Sequence, residues 1–92
     1  MPQVFRIGSY WVFFWTNEGA PLEPVHVHVA EGAPRANATK IWITRAGGCY
    51  LCNNDSGVPA AALHNIMRII EARSDEVIAK WVEYFGDATF YC

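Results

Sequence analysis

The segment Pro24-Val25-His26-Val27-His28-Val29 alternates valine with histidine over its whole length. A period of two is the signature of a β-strand, so Val25, Val27 and Val29 share one face and His26 and His28 share the other. Covering the valines removes apolar area worth roughly 1.5–3 kcal/mol per side chain from water, whereas imidazoles buried in the same place would need polar partners. The segment therefore predicts a layered domain in which helices cover the valines and the histidines face the other side of the sheet.

Upstream, "VFRI", Gly8-Ser9 and "YWVFFW" read as two strands joined by a two-residue turn with glycine first, the chemistry of a type II′ hairpin. In the second strand Tyr10, Val12 and Phe14 alternate with Trp11, Phe13 and Trp15, so both faces are apolar and both need cover. The loop "TNEGAPLEP" places Glu18 just ahead of the histidine strand. Downstream of "EGAPRANA", Ile41 and Ile43 alternate with Lys40 and Trp42 as in a half-buried strand, and "GGCYLCNNDSG" allows one very short strand around Cys49 to Leu51.

From Pro59 the apolar period changes to that of a helix. Leu63, Ile66, Met67 and Ile70 form one stripe flanked by His64, Asn65, Arg68 and Glu71. Ser74, followed by Asp75 and Glu76, is the expected N-cap of a second helix; its buried face is Val77, Ile78, Trp81, Val82 and Phe85, and Gly86 is its expected stop. Strands first and helices afterwards predict an α+β fold: a four- to five-stranded antiparallel meander with two C-terminal helices packed on one face. One domain spans residues 1–92, β-rich over 1–52 and helical over 59–86.

Composition narrows the function. Hydrophobic residues make up 52% of the chain, enough for a packed core. Seven basic against nine acidic residues, with no run of Lys or Arg, do not indicate nucleic-acid binding by charge. No signal peptide or membrane-length apolar run occurs, so a cytoplasmic location and no membrane partner are expected, with Cys49, Cys52 and Cys92 as free thiols.

The ordered combination of "FRIGSYWVFFWTNE", "PVHVHV", "KIWI" and "IAKWVEYFG" resembles the bacterial domain-of-unknown-function family 4160 over essentially the full length. The chain departs from that pattern in two places. The family loop usually has adjacent prolines directly before the first histidine, where this chain has Pro24 followed by Val25, and the cysteines are not a family feature. The family has no assigned activity. Its members are often encoded beside members of domain-of-unknown-function family 2442, so the resemblance implies a protein partner encoded nearby and a two-gene module of toxin–antitoxin type.

Several residue sets bear on chemistry. Residues two apart on a strand lie ~6.5–7 Å apart, which lets His26 and His28 converge on a divalent metal or a phosphate. Glu18 or His64 could add a ligand only if the loop or the first helix folds over that face. The structural alternative is a histidine pair bonded to loop carbonyls. Cys49 and Cys52 form one C-x-x-C, which with the histidines makes a nominal two-Cys, two-His set; thiols three apart on a strand point to opposite faces, and no βαβ frame supports redox chemistry. Tyr84 stands where a helical tyrosine nucleophile of a metal-assisted nuclease could stand, beside an apolar face that packing explains equally. His64, Arg68 and Glu71 share one helix flank and could do acid–base work on a phosphodiester, or simply form a solvated surface.

These observations lead first to an interaction protein that needs no cofactor, with Trp11, Phe13 and Trp15 as interface and self-association, most simply a homodimer, through the edge or face of the hairpin. They lead second to a histidine- or metal-dependent phosphodiesterase, an RNase-like toxin, with His26, His28, Glu18, His64 and Arg68 as its catalytic set.

Overall fold

A computed structural model describes residues 3–16 and 22–92. Five strands, β1 (Gln3–Ile7), β2 (Tyr10–Phe13), β3 (His26–Glu31), β4 (Thr39–Ile43) and β5 (Cys49–Asn53), precede two helices, α1 (Ala60–Ala72) and α2 (Ser74–Phe85). The strands form one sheet in chain order, every neighbour antiparallel. This is the expected α+β meander, with β5 two residues longer than the short segment that its sequence suggests.

Each link has a local cause. Ile7 pairs with Tyr10 across Gly8-Ser9, where Gly8 has φ +58° and Ser9 keeps a negative φ. A type II′ turn needs positive φ at its first central position, which glycine takes without strain. Register shifts mark a bulge at each edge: Val4 is the extra residue on β1 and Cys52 the extra residue on β5. The corner before α1 is tied by Asn54, whose amide accepts from the Val58 N–H at 3.0 Å and donates to the Val58 carbonyl at 2.9 Å.

The core lies between the sheet and the helices. Val12, Val27, Val29, Ile41 and Ile43 meet Leu63, Ile66 and Ile70 of α1 and Val77 and Trp81 of α2, with Phe14 and Val25 closing one end. Two details of the helices differ from expectation. Ser74 is the first residue of α2 and makes no capping hydrogen bond; α1 ends only at Ala72, so Arg73 alone forms the corner. Arg73 fixes that corner by forking onto Glu76 at 3.0 and 2.7 Å while its guanidinium lies 4.1 Å over the Phe5 ring. Val82 is 40% exposed. It lies on the outer edge of the apolar stripe, and the sheet beneath is already filled by Trp81 and Phe85. Gly86 ends α2 as expected, with φ +79° and its N–H donating to the Val82 carbonyl at 2.8 Å.

After Gly86 the chain does not leave the domain. It crosses the end of the sheet, where the Val25 N–H donates to the Thr89 carbonyl at 2.8 Å and the Arg45 N–H to the Cys92 oxygen at 2.9 Å. No helix among the described residues is long and apolar enough to cross a membrane.

Candidate functional site

Strand alternation places His26 and His28 on the sheet face opposite the helices, while Val25, Val27 and Val29 join the helix-side core. The histidine face is closed at its centre. His26 is 0% exposed and His28 9%. Their rings meet edge to face at 5.0 Å. Phe13 lies 5.6 Å and Trp15 6.4 Å from the His28 ring. Trp42 of β4 and Trp81 of α2 lie 5.5 and 5.1 Å from the His26 ring. His26 Nδ1 is 2.9 Å from the Pro24 carbonyl. A carbonyl only accepts, so Nδ1 carries a proton and donates.

Two polar residues complete this face that the reading of the sequence did not single out. Lys40 stands directly across from His28 in the β3–β4 register. Its Nζ is 3.0 Å from Glu23 Oε1 and 4.3 Å from the centre of the Trp42 ring. The signal for Lys40 was its alternation with Ile41 and Ile43, which puts it on the face of Trp42. Nothing in the loop composition distinguished Glu23 from Glu18. Glu18 itself lies outside the described residues.

The helix-borne members of the expected set are elsewhere. His64, Arg68 and Glu71 are exposed on α1, whose inner stripe covers the valine face, so the sheet separates them from the imidazoles. His64 is therefore not available as a third ligand beside His26 and His28. Tyr84 sets the edge of its ring against Phe14 at 5.8 Å, with Lys80 Nζ 5.7 Å above it, which is a packing role. Among the described residues, no three His, Cys, Asp or Glu side chains come together to hold a metal ion. Cys49 turns toward α1, its Sγ 3.5 Å from the Met67 carbonyl, while Cys52 is exposed at the β5 bulge, so the two-Cys, two-His set is not assembled. Burial, reinforced by the Glu71 carboxylate, pushes the Cys49 thiol up to about 11.

The expected interface residues divide. Phe13 is fully buried beneath Trp15 and His28, whereas Trp11 and Trp15 are half-buried. The Arg6 guanidinium lies 4.9 Å over the Trp11 ring. At the opposite side of the face Tyr91 stacks on Trp42 at 5.1 Å and 4°, and Tyr50 lies 6.2 Å from Tyr91. Tyr50 and Tyr91 are 59% and 57% exposed. The face thus has a sealed histidine centre and aromatic flanks that reach solvent.

The profile of the family described as Domain of unknown function (DUF4160) matches residues 9–82, most of the chain, and the protein belongs to that family. No curated protein and no solved structure matches the chain. The matched span runs from the hairpin turn to α2 and includes the histidine strand, Lys40 and Trp42, but not the segment that carries Tyr91.

Proposed function

We propose that this is an interaction protein of the bacterial cytoplasm, acting in a two-gene, toxin–antitoxin-like module with a partner of domain-of-unknown-function family 2442. The observation that carries the reading is the aromatic flank of the sheet face opposite the helix-side core, where Trp11, Trp15 and Trp42 are half-buried and Tyr50 and Tyr91 are exposed. Aromatic side chains anchor protein interfaces because they bury large area with few rotatable bonds. The bulge at Val4 twists the β1 edge out of line for strand pairing, so the face, rather than the edge, is the surface offered by the hairpin. The same surface serves a homodimer.

Co-expression with the neighbouring family 2442 protein tests the reading. A stable complex is expected, weakened about thirtyfold or more by Trp11→Glu or Trp15→Glu if these rings are anchors worth about 2 kcal/mol or more. Absence of a complex at micromolar concentrations, or equal weakening by a charge placed on the outer face of α1, would overturn it.

A second reading, an RNase-like phosphodiesterase, draws on one observation: two imidazoles 5.0 Å apart with a cation, Lys40, across from His28. Such a set combines proton transfer with charge stabilisation. Expression of the chain without its neighbour would then arrest growth, and His26→Ala with His28→Ala would cure the arrest.

A further inference from the structure

We propose that residues 88–92 form a displaceable strap beside His26, seated in a slot at the end of the sheet that recognises an extended aromatic segment, and that emptying this slot uncovers His26. The inference does not depend on whether the sheet face binds a partner.

The strap is held at both ends by main-chain hydrogen bonds and between them by its rings. Thr89 accepts from the N–H of Val25, the residue directly before His26, and Cys92 accepts from the N–H of Arg45, two residues beyond β4. Successive side chains go to opposite sides. Phe90 packs against the helix-side core with the Arg45 guanidinium 4.9 Å from its ring centre, and Tyr91 stacks flat on Trp42 on the histidine side. This is how an extended peptide is recognised: main-chain bonds provide attachment and alternate side chains fill separate sites.

The strap's contacts fall on the surroundings of His26. Thr89 holds the neighbouring backbone, and Tyr91 backs Trp42, whose ring in turn covers His26. Its hold is nonetheless slight. Two main-chain hydrogen bonds, the packing of Phe90 beneath Arg45 and the ring contacts of Tyr91 hold it, and with Tyr91 more than half exposed and Gly86 in the left-handed conformation at the root of the segment these place it at the low-stability end of the fold. The sheet and α2 do not need it for their own hydrogen bonds.

Site-resolved modification by diethyl pyrocarbonate, read by mass spectrometry, tests this with His64 as the exposed internal reference. In the full chain His26 should react far more slowly than His64. In the full-length Phe90→Ala/Tyr91→Ala variant, the His26 rate relative to His64 should rise by about tenfold or more. A synthetic peptide of residues 87–92 added in trans should restore protection. Should the double variant lose its near-ultraviolet circular dichroism, Tyr91→Ala alone, which removes only a half-exposed ring, gives the same comparison. The proposal is overturned if His26 stays protected in a folded variant, if it is already as reactive as His64 in the full chain, or if the peptide fails to restore protection.

Discussion

The two faces of the sheet are built by the same five strands, yet they are filled by different means. On one face Val27, Val29, Ile41 and Ile43 meet two amphipathic helices and aliphatic side chains interdigitate, with the buried Thr39 hydroxyl hydrogen-bonded to Asn54 and Ser56. On the other face the centre is closed by rings packed on rings: His28 on Phe13 and Trp15, His26 between Trp42 of β4 and Trp81, which α2 contributes. Polarity alone does not separate buried from exposed here. Histidine is an aromatic ring with a polar rim, and in this setting its rim is served by the Pro24 carbonyl while its faces and edges pack.

The largest expected effect lies on the aliphatic face. Ile41→Ala, at a position with no solvent exposure, should lower unfolding free energy by about 2–5 kcal/mol in urea titration, through lost burial and a residual cavity. A loss below about 1 kcal/mol would mean that the helices do not seat tightly on the sheet.

On the histidine face, His26→Val removes the bond to Pro24 and the ring contacts and should cost about 1–3 kcal/mol. A neutral or stabilising result would break the comparison, because it would show that the imidazole contributes nothing to the packing of its face. Stability unchanged by His26→Val together with growth arrest lost would instead favour the catalytic reading.

The thiols sharpen the contrast chemically. Cys49, pushed up to about 11, should hold a thiolate fraction roughly a hundredfold below that of an ordinary thiol near neutral pH and react last with a thiol reagent, after Cys52 and Cys92. The raised value also fixes a pH dependence. The folded state keeps the Cys49 proton where the unfolded chain has lost it, so this stabilisation is fully present below about 9 and is lost as the pH rises through about 11. Urea midpoints measured across that window should fall with pH in the parent chain, and less steeply in Cys49→Ala.

The smallest effect is expected at the solvent-reaching flank. Tyr50→Ser should change stability by within about 0.5 kcal/mol, as surface substitutions commonly do. A loss several times larger would show that Tyr50 and Tyr91 support the Trp42 ring from outside and belong to the packed centre.

The strand order, the hairpin turn at Gly8-Ser9, the helix stripes and the outward direction of the histidines were legible in the residues themselves. Each rests on a local rule: a period of two or near 3.6, a glycine where φ must be positive, or apolar residues collected on one side. Alternation also set the thiols of Cys49 and Cys52 on opposite faces of an extended segment, although it did not show the bulge at Cys52. What alternation could not settle was how far the histidine face would be closed. Burial of His26 depends on Trp42 from β4, Trp81 from α2 and the path of residues 88–92, groups that are remote in sequence and meet only when the meander and helices assemble. The same is true of Lys40 beside His28, which pairing register decided, and of Arg73 as the helix corner, where contact with Phe5 and Glu76 replaced the serine cap suggested by local propensity. Local periodicity assigns a side chain to a face; whether that face is open or shut depends on contacts between distant segments, and no local pattern encodes them.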